Sequence, residues 1–210
     1  MASQDQIIRN LERIDPMKEK QKKIKVMFIN HTSIIGGAER SLLDILTFIN
    51  KSKFEPLFVC FEEGELVEKV REIEGVEVTV VPFPGELLRY NRDEKFISQI
   101  ITPMYMIIPI VKLLIFTKKS NVNVVYTNSM KAHFIGVVTG KLSFKKVVWH
   151  VRDILDDGIN KKLFIVFSQF TDDIICISKA VAKQFVSKKN VKVVYNGMLP
   201  IEEVPQNERV

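Results

Sequence analysis

The chain has 210 residues, 46% of them hydrophobic, and a formal net charge of +6. This length suits one substantial α/β domain, and this apolar fraction supports a buried core, which excludes a disordered chain. The positive charge favours an anionic partner such as a phosphate, a nucleic acid or an acidic lipid surface, although a solvated lysine-rich surface explains it equally well. Because no basic stripe with interleaved aromatic residues occurs, we expect no nucleic-acid partner.

The chain order predicts three parts. Residues 1–22 form an N-terminal leader, an amphipathic helix followed by a basic linker, with polar first residues that are unlike a signal peptide. Its helically spaced apolar positions are Ile7, Ile8, Leu11 and Ile14. Residues 23–198 form one Rossmann-like domain. Residues 199–210 are polar and contain proline, and we interpret them as a tail or the start of an interdomain linker.

Short β-branched apolar runs alternate with helical segments through the domain. The predicted strands are Lys25–Ile29, Glu55–Phe61, Val76–Val81, Val122–Tyr126, Lys146–His150, Asp173–Ile177 and Val191–Tyr195. The predicted helices are Ala38–Asn50, Glu65–Ile73, Phe96–Lys118, Lys131–Lys141, Ile159–Gln169 and Lys179–Ser187. Strict βα alternation predicts an α/β fold, a doubly wound and mainly parallel sheet of about seven strands with helices on both faces.

The two cysteines, Cys60 and Cys176, lie inside predicted strands. They form no disulfide framework and match no zinc spacing, so we interpret them as buried small hydrophobic residues and predict no metal site. Their usage favours a reducing, cytoplasmic setting.

The most hydrophobic region is residues 100–116. It is shorter than the roughly 20 residues that a membrane-spanning helix needs, and Pro103, Pro109 and Lys112 interrupt it. A helix buried against the sheet, or a helix that docks on a bilayer surface, fits better.

A polar segment with adjacent glycines, Gly36 and Gly37, separates the first strand from the first helix. Glycines at such a junction let a ligand approach the backbone, and the free N–H groups of the helix N-terminus suit a phosphate or sugar oxygen. A tight turn without a ligand is the alternative interpretation. Polar groups also follow most of the other strands, at the edge where ligands bind in doubly wound sheets.

The chain lacks the sequence motifs of several enzyme classes. A dinucleotide fingerprint needs a third glycine after Gly36 and Gly37, and no phosphate-binding G-x-x-x-x-G-K-[ST] loop occurs. No G-x-S-x-G elbow is present for a serine hydrolase. Nicotinamide or flavin enzymes, P-loop enzymes and such hydrolases are therefore disfavoured.

Five segments in order carry a resemblance to a known family. The segments GGAERSLLDI, YTNS, WHVRD, ICISKAVAKQF and VVYNGM resemble successive motifs of the N-terminal domain of GT-B glycosyltransferases. The chain is most similar to the retaining family called glycosyltransferases group 1, over roughly residues 23–197. The resemblance implies that Gly36 and Gly37 lie near the donor diphosphate and the acceptor. It also implies that His150 contacts the donor sugar near the reacting centre, as the expected catalytic residue.

The remaining matched positions have weaker assignments. Asn128 and Ser129 match acceptor-facing positions, although Ser129 is equally suited to cap the next helix. Arg152 and Asp153 follow His150 where the family often carries an acidic residue, and Asp153 could instead cap a helix. Arg40 follows the glycine pair as in many family members. Ser178 is interpreted as a structural helix cap.

The resemblance implies transfer of a sugar from a nucleotide-sugar donor, with no further cofactor, to a glycan or lipid-linked acceptor. It implies a cytoplasmic enzyme, with peripheral contact to a membrane surface as a further expectation. The second GT-B domain, which carries most of the donor site, is not among the 210 residues, so this chain alone is expected to be inactive. The alternatives are one subunit of a split transferase, or a non-catalytic α/β module that binds a phosphorylated or sugar ligand.

Overall fold

A computed structural model describes residues 22–83, 97–186 and 188–197. Nearly all of the predicted leader, and the predicted tail from residue 199, lie outside these residues. The described part contains a seven-stranded parallel sheet with the order β3-β2-β1-β4-β5-β6-β7. Its strands are β1 (Ile24–Asn30), β2 (Phe54–Cys60), β3 (Glu77–Val80), β4 (Val124–Thr127), β5 (Lys146–Val151), β6 (Asp173–Cys176) and β7 (Val191–Val193).

The helices of the described residues connect these strands in the alternation predicted from the sequence. They are α1 (Gly37–Phe48), α2 (Glu65–Arg71), α3 (Ile97–Lys119), α4 (Met130–Leu142), α5 (Ile159–Ser168) and α6 (Lys179–Ala182). A short 3₁₀ turn, Lys183–Phe185, continues α6. The predicted α/β fold class is confirmed, and every predicted strand and helix has its counterpart.

Both faces of the sheet are covered because its strands are apolar on both sides. Val26, Phe28 and Phe58 point to one face, where Leu42 and Leu46 of α1 cover them. Residues that alternate with these along the strands point to the other face and pack against α3, α4 and α5. This second set includes Met27, Ile29, Val125, Val147 and Trp149. Continuous apolar strands of this kind are typical of a parallel sheet between two helical layers.

Helix α4 lies unusually close to the sheet because two of its inward positions are glycines. A Cβ atom at Gly136 would collide with the methyl group of Thr127, and one at Gly140 would collide with Val147. Neither contact can relax easily, since Thr127 and Val147 are both fully buried. The close approach holds α4, which begins directly after β4, against the strands that carry the candidate site.

We expect Gly136→Ala to lower the free energy of unfolding by about 2 kcal/mol, because overpacking a filled core forces side chains or backbone to shift. Denaturant unfolding followed by circular dichroism measures this change. Gly37→Ala is the matched control, since a Cβ there meets no atom within 4 Å. Equal stability of the two variants would show that α4 can move away from the sheet at no cost.

The fold buries both cysteines and part of the apolar region 100–116. Cys60 and Cys176 are fully buried, as predicted, and burial raises the pKa of each thiol to about 11. Helix α3 covers the sheet with Leu113 and Thr117 but leaves other apolar side chains in solvent. No helix in the described ranges is both long and apolar enough to span a bilayer.

Candidate active site

The candidate site lies at the carboxyl ends of the strands, around the place where the strand order reverses. β1 pairs with β2 on one side and with β4 on the other, so the segments after β1 and β4 diverge there. Such a switch point leaves a crevice, which is where ligands bind in doubly wound sheets. The segments that follow β1, β4 and β5 bring the predicted residues to this crevice.

A buried polar chain fixes the start of α1. The Asn30 amide donates to Oε1 of Glu39 at 3.2 Å and to the carbonyl of Thr32 at 2.8 Å. Glu39 is only 7% exposed, and its Oε2 accepts from the backbone N–H of Gly36 at 3.1 Å. Glu39 lies in the first turn of α1, where its charge complements the helix dipole, and it also ties the glycine loop to the end of β1.

A second carboxylate holds the front of the same loop. Oε1 of Glu62, which follows β2, accepts from the hydroxyl of Thr32 at 2.8 Å and from the backbone N–H of Ser33 at 3.0 Å. Ser33 in turn accepts from the backbone N–H of Val67 in α2. The loop between β1 and α1 is therefore held from both sides, while Gly36 and Gly37 remain exposed at its end.

Ser129 occupies the N-cap position of α4 but does not cap it with its side chain. Its hydroxyl instead accepts from the backbone N–H of His31 at 3.2 Å and lies 2.7 Å from Nδ1 of the same residue. The first turn of α4 consequently has no side-chain cap at the crevice, and in α1 a side chain, that of Glu39, takes only the N–H of the N-cap residue Gly36. Two helix N-termini thus keep backbone N–H groups available for an anion.

His150 is 5% exposed and lies on β5 beside Tyr126 of β4. Its Nδ1 lies 2.6 Å from the Tyr126 hydroxyl and 3.2 Å from Nη2 of Arg152. Arginine can only donate, so Nδ1 is the acceptor of both groups and the proton of the neutral ring resides on Nε2. Burial, and then the charge of Arg152, lowers the pKa of His150 to about 3, which keeps the ring neutral.

The Nε2–H group of His150 is buried and has no hydrogen-bond partner among the described residues. A buried donor without an acceptor costs free energy, and such groups in folded proteins are commonly satisfied by a ligand or a bound water. The geometry therefore describes a neutral ring with its proton on Nε2, which can donate a hydrogen bond and is not poised as a base.

Arg152 connects the residues that surround His150. Its Nε and Nη2 both donate to Oδ1 of Asn128 at 3.3 Å, and Nη2 also donates to the hydroxyl of Ser41 at 3.0 Å. Its Nη1 donates to Oδ1 of Asn196 at 3.0 Å. Asn128 completes the network by donating to the carbonyl of Ala38 and to Asn30. One guanidinium thus joins α1, β5 and the segments that follow β4 and β7.

The other predicted positions are placed less centrally. Arg40 and Asp153 are exposed, and no side-chain contact among the described residues brings either of them to the crevice. Asp153 does not cap a helix, because α5 has Gly158 at its N-cap. The predicted cap at Ser178 is confirmed, since its hydroxyl accepts from the N–H of Val181.

Sequence reasoning missed several residues of this network. No role in it was predicted for Asn30, His31, Ser41, Tyr126 and Asn196. Ser41 lies in the first helix, and the other four lie at or shortly after the end of a strand. The position of Asn30, Tyr126 and Asn196 near strand ends was the available signal. In the described ranges, no group of three or more His, Cys, Asp or Glu side chains is placed to share a metal ion.

All three histidines of the chain lie in low-dielectric surroundings near this site. Burial lowers the pKa of His133 to about 3 and that of His31 to about 4. His133 is 2% exposed, contacts the Thr127 hydroxyl at 2.6 Å and stacks on Trp149. The ordinary histidine pKa is about 6.5, so the unfolded chain binds protons below that pH that the folded chain does not bind.

We therefore expect the free energy of unfolding to fall as the pH drops from about 6.5 toward 4. Replacing His133 with phenylalanine keeps a ring against Trp149 and removes one of the three titrating groups. The pH dependence should become shallower by about 1.4 kcal/mol per pH unit. Urea unfolding at a series of pH values measures the slope, and an unchanged slope would show that folding does not lower the pKa of His133.

Residues 35–198 match the family described as Glycosyltransferase Family 4. A search of proteins of curated function finds no match. HepE of Anabaena, solved with UDP and glucose, superposes with a TM-score of 0.63 at 22% identity, over 83% of this chain and 45% of that chain.

Two further structures share the fold. MurG of Acinetobacter baumannii has a TM-score of 0.59 at 11% identity, over 84% of this chain and 47% of that chain. The lipopolysaccharide outer core galactosyltransferase WaaB, in its apo form, has a TM-score of 0.58 at 15% identity, over 89% of this chain and 50% of that chain. At such identities the likeness shows the fold alone. The chain spans about half the length of the structures it matches.

Proposed function

Because this chain belongs to Glycosyltransferase Family 4, we propose that it is the acceptor-side half of a retaining glycosyltransferase. The enzyme moves a sugar from a nucleotide-diphosphate donor to a hydroxyl of a glycan or of a lipid-linked acceptor. The observation that carries this proposal is the buried Nε2–H of His150, which has no partner among the described residues and whose ring is oriented by Tyr126 and Arg152.

In this proposal His150 donates its Nε2–H hydrogen bond to an oxygen of the donor sugar. A neutral donor suits this task, because the sugar gains positive, oxocarbenium-like charge as the leaving group departs and an imidazolium would repel it. Tyr126 and Arg152 act as positioning residues, since their donation to Nδ1 keeps the proton on Nε2. The cationic Arg152 is turned toward Asn128, Ser41 and Asn196, away from the Nε2 side of the ring.

The departing diphosphate requires stabilisation of developing negative charge. The exposed Gly36 and Gly37 leave the N-terminus of α1 open, and backbone N–H groups aligned with a helix dipole serve this purpose. The uncapped first turn of α4 offers a second set of such groups at the same crevice. These features support binding of the donor's phosphate side at the N-termini of α1 and α4.

Retention of configuration is part of the proposal. Glu39 and Glu62, the carboxylates nearest the loop, are engaged with Asn30, Gly36, Thr32 and Ser33, so neither serves as a nucleophile. We propose that the bond from the sugar to the diphosphate breaks while the bond to the acceptor oxygen forms on the same face. The acceptor's proton passes to the departing diphosphate oxygen.

The proposed enzyme needs a second, donor-binding half, since this chain spans about half the length of the related structures. We propose that the chain alone is inactive and that it works at the cytoplasmic side of a membrane. The solved relatives include a HepE complex with UDP-glucose, which supports a nucleotide-sugar partner for this chain.

The decisive experiment is a transfer assay on an enzyme that joins this chain to its second half. A panel of nucleotide-diphosphate sugars is incubated with it, and release of nucleoside diphosphate is measured. Release from one donor, with the anomeric configuration retained in the product, supports the proposal. Binding of a sugar phosphate without turnover by the joined enzyme would indicate the non-catalytic module instead.

A further inference from the structure

Helix α3 exposes an apolar face to solvent. The side chains of Ile107, Ile108, Val111 and Ile115 are 57%, 66%, 45% and 49% exposed, and they recur at helical spacing. The opposite side of the same helix buries Leu113 in the core. A helix that is apolar on both sides is normally covered on both, so a contiguous exposed patch of this kind marks an interaction surface.

The charged residues of α3 itself are all lysines. Residues 96–152 contain no aspartate or glutamate and seven lysines. Lys112, Lys118 and Lys119 are exposed on α3 between and beyond the isoleucines. None of these three takes part in an ion pair within the described ranges. Among the described residues, the face therefore combines exposed apolar side chains with three lysines that have no ion-pair partner.

The turn after α4 adds a second apolar and basic element at the adjacent edge. Phe144 is 95% exposed and has a φ of +57°, a conformation that bulky side chains rarely adopt. Lys22, Lys23 and Lys146 line a surface cavity of about 400 Å³ together with Phe144. Because α3 and α4 pack side by side and both end where the strands begin, this turn lies near the end of α3.

We infer that α3 and the turn at Phe144 form a docking surface for an anionic lipid bilayer. A bilayer supplies both partners that the surface needs, acyl chains for the isoleucines and negative headgroups for the lysines. A second copy of the same surface would bring lysines against lysines. This inference rests on the proposed membrane contact and gives it a location on the molecule.

The chain contains a matched surface of different charge. Helix α5 also exposes apolar residues, with Leu163 47% and Val166 54% exposed. Its start is flanked by exposed Asp156 and Asp157, and Lys161 is paired with Asp157 at 2.7 Å. If apolar exposure alone decided membrane binding, α5 and α3 would contribute equally. If membrane binding needs exposed apolar side chains together with unpaired lysines, only α3 contributes.

The test is co-sedimentation of the chain with vesicles of phosphatidylglycerol and phosphatidylcholine at low ionic strength. We expect the combined substitutions Lys112→Gln, Lys118→Gln and Lys119→Gln to weaken binding about 10²-fold, because each lysine at an anionic surface contributes roughly 5-fold. Binding should also weaken as salt rises and vanish on pure phosphatidylcholine. Ile108→Ser combined with Ile115→Ser should reduce binding, whereas Leu163→Ser combined with Val166→Ser should not.

Three results would overturn the inference. The first is an absence of binding to the anionic vesicles, and the second is an equal loss in the α5 and α3 variants. The third is a change of oligomeric mass in the α3 variants without any vesicle binding, which would assign the face to a second copy. Circular dichroism verifies that each variant is folded. No sugar donor is used, so a negative result leaves the proposed transfer reaction standing.

Discussion

Replacing His150 with alanine should lower kcat for sugar transfer on the order of 10²-fold, the size of effect seen when one preorganised donor to a charged transition state is removed. The physical reason is loss of the Nε2–H donor, which has no partner among the described residues and is proposed to bind the donor sugar. The measurement is steady-state transfer by an enzyme that carries this chain and its second half, with donor and acceptor varied separately.

Two further variants distinguish a donor from a structural side chain. His150→Gln places an amide N–H group near the position of Nε2 and should recover part of kcat, although it has no acceptor at the position of Nδ1 beside Tyr126. Tyr126→Phe leaves Arg152 as the remaining donor to Nδ1, so we expect a smaller loss than for His150→Ala. Nitrogen chemical shifts of the ring would report the tautomer directly, and a proton found on Nδ1 would contradict the assignment.

Substituting Gly37 with valine should abolish most of the transfer activity while leaving the fold intact. A Cβ atom at this position meets no atom of the described residues within 4 Å, so the stability of the protein should change by less than about 0.5 kcal/mol. The valine side chain would stand over the N-terminus of α1, where the diphosphate is proposed to bind. Kinetics with varied donor concentration and thermal unfolding measure the two effects.

Asp44→Ala is the control for this second experiment, because Asp44 is exposed further along α1 and away from its N-terminus. We expect normal transfer from it. If Gly37→Val retained full activity, the glycine pair would be a tight turn without a ligand, which was the alternative interpretation of the sequence. If it unfolded the chain, the loop would prove to be structural.

The alternation of strands and helices was predictable because parallel strands buried on both faces leave a continuous apolar signature. Each strand boundary in the structure lies within two residues of its predicted one. The end of α6 differs more, since a helix was predicted as far as Ser187, whereas the α-helix ends at Ala182 and a 3₁₀ turn follows. Short helices give few apolar repeats from which to place an end.

It was also predictable from the sequence that Asn128, His150 and Arg152 lie at one edge of the sheet, because the carboxyl ends of parallel strands meet there. The sequence could not predict their hydrogen bonds. Ser41 and Asn196 are 155 positions apart and meet only through packing, and the protonation of His150 depends on a tyrosine from another strand. The same limitation explains Ser129, whose hydroxyl is taken by His31 and not by its own helix.

The single tryptophan of the chain gives the molecule an internal optical reporter. Trp149 is fully buried and precedes His150 on β5. Its ring stacks between those of His133 and Phe164, with a distance of 4.8 Å between ring centroids in each pair. Its indole N–H has no partner among the described groups, so its fluorescence emission should lie at short wavelength. Displacement of β5 on donor binding would change the packing of the indole against His133 and Phe164, and with it the emission. Fluorescence titration of the unlabelled chain can thus follow events at His150 from the opposite face of the sheet.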